Sequence, residues 1–162
     1  MNIWVPHTHI THATWKALGP YKGVSWMPMD DDAGYPRFLK ARWDAGRAFI
    51  NVEHDVAFHR GALEELWACP HPWCAFSYGE MFTECTTTLG CVYFSADFIQ
   101  ATRGVWDAML DNATDRYRNP TGLNVSGNPK WKMCDSWLTA WARHVIVPGL
   151  EVHQHFPHVQ NL

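Results

Sequence analysis

The 162-residue chain contains no C-x-x-C pair, no long run of like charge and no apolar stretch long enough to span a membrane. Each absence removes a class of protein. Its five cysteines, Cys69, Cys74, Cys85, Cys91 and Cys134, are odd in number. Without a close pair they argue against a disulfide framework and against a zinc ribbon, so a reducing cytoplasm is the expected setting. The opening "MNIWVPHTHI" carries neither a basic segment nor a long apolar one, and no signal peptide or membrane span is expected. Charged residues make up only 18%, and the formal net charge is -3. That balance gives no footprint for gripping a phosphate backbone, although Arg116, Arg118, Lys130 and Lys132 form a local basic group.

What the chain does have is apolar material. Hydrophobic residues reach 47%, with ten Trp and ten His. This is enough for a packed core in a single domain over residues 1–162. Strand signals at Asn2–Val5, Val24–Trp26, Phe49–Val52, Trp73–Tyr78 and Leu89–Phe94 alternate with helical ones at Thr11–Leu18, Arg37–Ala45, His59–Ala68 and Cys134–Arg143. Ser95–Leu110 reads as a helix with Gly104 as a break, Asp111–Lys130 as a mobile loop, and "HVIVPG" as a last strand before a His-rich tail. The alternation predicts an α/β fold, a single-domain αβα sandwich with a mixed, largely parallel sheet.

The segment "FINVEHDVAFH" (Phe49 to His59) carries the chemistry. A buried strand runs into Glu53, His54 and Asp55, and ligands of open α/β sheets bind beyond the carboxyl ends of strands. In extended geometry Glu53 and Asp55 project to one side and His54 to the other, where it is structural. Two hard oxygen donors suit Mn2+ or Mg2+, which complete their shells with phosphate oxygens and water. The same carboxylates could instead cap the helix beginning near His59.

"VEHDV" resembles the E-x-D variant of the D-x-D motif in glycosyltransferases of the GT-A fold, and other segments follow in the order of that family. A helix and the strand "WCAFSYG" come next. "TTTLGCVYFSADFI" resembles the segment leading to the acceptor side, and "WKMCDSWLTAWAR" resembles the family's late helix with its carboxylate, here Asp135. The resemblance runs from about Trp43 to the C-terminus. It implies a UDP- or GDP-sugar donor whose diphosphate rests on Mn2+ or Mg2+, with Asp55 as direct ligand and Glu53 as a water-mediated ligand or ribose contact. Asp135 would be the general base toward an acceptor hydroxyl. A third metal ligand would come from the tail: His155 first, then His153 and His158. Where related tails read "VQH", this one has Asn161. Of the shorter N-terminal half, His7, Thr8 and Tyr21 are candidates for holding the base. The acceptor is not legible; bacterial and phage enzymes of this kind include some that modify hydroxymethylated bases in DNA.

Two further readings compete. "HTHITH" (His7, His9, His12) resembles part of the zinc motif of metallo-β-lactamase-like hydrolases, but Thr11 stands where that family places Asp. A non-catalytic module stacking sugars or bases on its Trp residues is the third. "DDD" (Asp30 to Asp32) is a literal D-x-D without a strong strand before it, and reads as a solvated loop.

Overall fold

The computed structural model describes residues 1–78, 89–124, 130–145 and 152–161; for 77–78, 132 and 156–161 it describes the backbone alone. Seven strands, β1 (Ile3–His7), β2 (Val24–Pro28), β3 (Phe49–Val52), β4 (Val56–Ala57), β5 (Trp73–Tyr78), β6 (Cys91–Phe94) and β7 (His153–Asn161), form one sheet in the order β2-β1-β3-β6-β5-β7-β4. β1 pairs in parallel with β2 and β3, and β5 with β7, whereas β6 runs antiparallel to both neighbours and β4 antiparallel to β7. The sheet is therefore mixed, with most strands pointing one way, as the alternating pattern predicts.

The helices are α1 (His12–Leu18), α2 (Gly34–Ala45), α3 (Ala62–Ala68), α4 (Ala96–Ala101), α5 (Val105–Leu110) and α6 (Cys134–Val145). They cover both faces because the central strands are apolar on both sides. In β3, Phe49 joins the core beneath α2, α4, α5 and α6, while Ile50 and Val52 join the one beneath α1 and α3. Neighbouring β5 and β6 alternate the same way, with Trp73, Ala75, Val92 and Phe94 on the first face and Cys74, Phe76 and Cys91 on the second. Trp43 of α2 is the hub of the first core. Its ring meets Phe49, Phe94, Phe98 and Trp106 edge-on, and its indole N–H donates to Thr102 Oγ1 at 2.9 Å. The tryptophans are thus largely core material. Trp15 and Trp67 are the exposed ones.

The helical stretch after Ser95 is broken where Gly104 adopts φ 87°, a left-handed conformation that costs glycine little. Ser95 caps α4 by accepting from the Phe98 amide. Three expectations change. β4 is a two-residue strand that periodicity could not reveal, and the tail becomes the longest strand of the sheet. Of "HVIVPG", His144 and Val145 complete α6, and the rest lies outside the described residues. Residues 111–124 form no helix or strand, and 125–129 lie outside the described residues. No described helix is long and apolar enough to cross a membrane.

Candidate functional site

The chain order β1-β2-β3 maps onto the spatial order β2-β1-β3. The crossover direction therefore reverses between β1 and β3, and in open α/β sheets it is beyond the carboxyl ends of strands at such a switch point that ligands bind. His7 closes β1 there, and Glu53, His54 and Asp55 follow β3. Beneath them Asn51 is fully buried, its amide donating to Tyr35 Oη at 2.9 Å and to the Leu89 carbonyl at 2.5 Å. This polar pair of bonds ties β3 to α2 and to the entry of β6, and sets a rigid base under the carboxylates.

Extended geometry stops at Val52. The Glu53 amide donates to the Gly90 carbonyl at 2.7 Å, and the chain then turns, with the Val56 amide returning to the Glu53 carbonyl at 3.3 Å. The alternation expected for residues 53–55 therefore fails, and His54 does not face away. Its ring packs edge-on against His9 (4.5 Å between centroids) and Trp131 (5.4 Å). Burial lowers the His54 pKa, against the pull of the neighbouring Asp55 charge, and burial likewise lowers that of His7.

Trp131 stands in the 3-10 turn Trp131–Met133 before α6 and donates its indole N–H to Glu53 Oε1 at 2.9 Å. Its ring stacks on Tyr35 at 4.2 Å. Asp135 sits in the first turn of α6, and its Oδ1 accepts the Leu89 amide at 2.9 Å. It is thus tied across to the sheet and does not merely cap its own helix. Desolvation first, and the Glu53 charge second, push its carboxyl up from 3.8 to about 8, against the Leu89 bond. Asp55 Oδ1 is buried with no hydrogen-bond partner among the described residues. A buried carboxyl held near a second carboxylate is an environment that a divalent cation would relieve, and so is a buried carboxylate oxygen without a partner. Glu53 and Asp135, far apart in sequence, are brought together at one end of the sheet; Asp55 follows Glu53 by two residues, and among the described residues the three do not bring their oxygens into one ligand group.

The tail histidines go elsewhere. β7 pairs its Asn161 with Val56, next to Asp55, but its His153 with Cys74 and its His155 with Phe76. Strand rise places His155 on the order of 15 Å along the strand from the Asp55 end. His153 and His155 therefore do not complete a site with Asp55, a correction to the expectation, and the His158 side chain lies outside the described residues. The alternation of β7 directs His153 and His155 to the same face as Cys74, where Cys69 joins them. The Nδ1 of His153 lies 3.4 Å from Cys69 Sγ and 3.3 Å from His155 Nε2, and one ligand atom from each of the four residues lies within 4.8 Å of all the others. The sulfurs of Cys69 and Cys74 are in bonding contact. His155 Nδ1 is 2.6 Å from Glu65 Oε1 of α3, and His71 stacks on His153 at 4.3 Å. A cysteine pair at this position was not expected.

The remaining candidates scatter. Thr8 is exposed, with Oγ1 3.2 Å from His9 Nδ1. Tyr21 donates to Glu64 Oε2 at 2.7 Å and packs on Phe58, and burial followed by the Glu64 bond pushes its hydroxyl up to about 12. It serves to dock α3. His12 is exposed in the first turn of α1. Among the described residues His7, His9 and His12 do not bring their nitrogens into one ligand group. Asp30 to Asp32 are exposed, and Asp31 pairs with Arg37 at 2.7 Å. A cavity of about 400 Å3 lies between α2 and the α4–α5 corner, lined by Lys40, Trp43 and Arg103 among others. It sits by the amino end of β3, away from the carboxylates, and Lys40 there is already paired with Asp44 and Asp107.

No protein-family profile, no curated protein and no solved structure matches the chain. The functional reading rests on the residues themselves. Sequence reasoning missed Trp131, His54, Asn51, Cys69, Cys74 and Glu65. For Cys69 and Cys74 the signal was a C-x4-C spacing that meets an H-x-H some eighty residues on.

Proposed function

We propose that the chain is a compact, metal-dependent transferase of GT-A type, moving a sugar from a UDP- or GDP-sugar to an acceptor hydroxyl. The observation that carries this reading is the approach of Asp135 to Glu53 just beyond the carboxyl end of β3, with Asp55 two residues further along the chain. The donor set fits Mn2+ or Mg2+. Asp55 brings a buried oxygen without a partner, and Glu53 is oriented by Trp131. When bound, the cation would offset negative charge on the departing nucleoside diphosphate.

The chain's own residues supply the rest. In its ionised form Asp135 is suited to take a proton from an acceptor hydroxyl, because a carboxylate whose pKa is raised to about 8 is a stronger base than an ordinary one. The Leu89 amide fixes which oxygen of Asp135 is engaged, leaving the other for the acceptor. Burial lowers the pKa of His7 and His54 and so disfavours a competing positive charge on either ring. Trp26 of β2, stacked with exposed Trp15 at 5.0 Å and 6.3 Å from the His7 ring, offers a flat apolar surface on the neighbouring strand. That stacked pair also favours a second reading, a sugar- or base-binding module without catalysis.

A calorimetric titration of UDP- and GDP-sugars, with and without Mn2+, separates the two. Metal-dependent binding lost in Asp55→Ala supports the transferase. Binding that ignores both Mn2+ and the substitution, with no release of nucleoside diphosphate, sinks it in favour of the module.

A further inference from the structure

The cluster below α3 plays no part in the reading above. Four side chains with metal-binding atoms converge there from two distant parts of the chain, and two of them are histidines. A disulfide between Cys69 and Cys74 has no use for two imidazoles aimed at its sulfurs. A soft divalent ion does. Thiolate with imidazole is the donor set that selects zinc over the oxygen-seeking cations.

We propose that, in the reduced chain, Cys69, Cys74, His153 and His155 bind one zinc ion in a closed tetrahedral site that pins the start of β7 to the turn after α3. The spacing supports it. Bonds of about 2.0–2.1 Å to nitrogen and about 2.3 Å to sulfur in a tetrahedron require ligand-to-ligand edges of about 3.3–3.6 Å. The His153–His155 edge is 3.3 Å and the His153–Cys69 edge is 3.4 Å. The Cα atoms of Cys69 and Cys74 are 6.9 Å apart, just beyond the span of about 4.4–6.8 Å usual for a disulfide. Two thiolates sharing an ion stand about 3.8 Å apart, and rotation of the half-buried Cys69 side chain supplies that separation.

The surroundings also match. His155 turns Nε2 toward the cluster and Nδ1 toward Glu65 at 2.6 Å. A carboxylate on the far nitrogen fixes the tautomer and raises the basicity of a zinc-binding imidazole, so Glu65 is a positioning residue. His59 Nε2 lies 3.7 Å from the other Glu65 oxygen, too far for a hydrogen bond. Stacking by His71 restrains the exposed His153 ring. Four protein ligands leave no open position, so the site is structural. The same sulfurs cannot be a disulfide and a ligand pair at once, and loading therefore needs the reduced form.

Cobalt reports on this directly. The full-length chain, reduced and stripped of metal, is titrated with Co2+ and followed by visible and near-ultraviolet absorption. The expected result is that the tetrahedral bands and a thiolate-to-cobalt band saturate at one Co2+ per chain, and that one equivalent of Zn2+ abolishes them. Cys69→Ser should weaken the thiolate band, and Cys69→Ser with Cys74→Ser should remove it. Glu65→Gln should keep the spectrum and weaken affinity about 10–100-fold. Asp55→Ala should leave it unchanged, because oxygen donors give no thiolate band. His153→Gln, at the exposed ligand, is the variant least apt to disturb folding; it should shift the bands as solvent replaces one nitrogen. The proposal is overturned if the reduced chain, with both thiols titratable, takes up no cobalt, or if the thiolate band survives the double substitution. It is equally overturned if Cys69 and Cys74 stay joined under the reducing conditions of a cytosol.

Discussion

The end of β3 and the underside of α3 both gather metal-seeking side chains on one sheet, but by opposite means. At the first, the Asp135 carboxyl is buried near the Glu53 charge, which is unfavourable without a counter-charge, and two residues beyond Glu53 an oxygen of Asp55 is buried without a hydrogen-bond partner among the described residues. At the second, thiol and imidazole groups meet at the spacing a small ion requires, each already oriented by a neighbour. The first has the look of a place where an ion comes and goes with a charged substrate. The second would keep its ion for the life of the fold. On the readings proposed above, unrelieved charge marks the first as a working site and complete ligation marks the second as a structural one.

The sharpest way to break this contrast is Asp55→Ala. Metal-dependent donor affinity should fall about 100-fold or more, about 2.7 kcal/mol, while the cobalt spectrum of the sulfur cluster is untouched. Loss of both signals together in calorimetry and absorption would show that the regions are not independent. Next in size is chelation of the zinc-loaded reduced chain. It should lower the melting temperature by several degrees, an effect absent in Cys69→Ser with Cys74→Ser and indifferent to Asp55→Ala.

The pH response sharpens the contrast further. The folded chain keeps a proton on Asp135 up to about 8, whereas the unfolded chain releases it near 3.8. The stabilisation is complete below the lower value and is lost as pH rises through the upper one. Melting temperature should therefore decline across that window, and Asp135→Asn should flatten the decline. Mn2+ should flatten it too, if it sits on Glu53 and Asp55. A smaller effect is expected of Trp131→Phe, which removes one hydrogen bond to a carboxylate, worth about 1.5–3 kcal/mol; a chemical denaturation series measures it. Least of all, Asp31→Ala should leave stability almost unchanged, since both Asp31 and its partner Arg37 are exposed to screening solvent, and should not alter donor binding. A large loss of binding there would reinstate the "DDD" segment as a site.

The sequence exposes these regions unequally for a physical reason. Glu53 and Asp55 are read from one continuous strand and its end, and Asp135 from a helix start, because local periodicity marks such boundaries. Both cores follow from the same alternation. The turn after Val52 is different. It depends on β6, whose Gly90 carbonyl takes the Glu53 amide, so the orientation of His54 was not available locally. The sulfur cluster depends on β5 pairing with β7, and neither "CPHPWC" nor "VHQHFPHVQN" shows its partner. Pro157 further disguises β7, because proline is rare inside strands.

That last strand has a consequence of its own. β7 is gripped twice, at His153 and His155 by the sulfur cluster and at Asn161 by β4, with a two-residue irregularity against β5 between Phe76 and Tyr78 absorbing the surplus. Two fixed points on one strand make it a ruler. Its length is constrained as firmly as its composition: deleting a single residue between them would force the tail to keep one anchorage and forfeit the other.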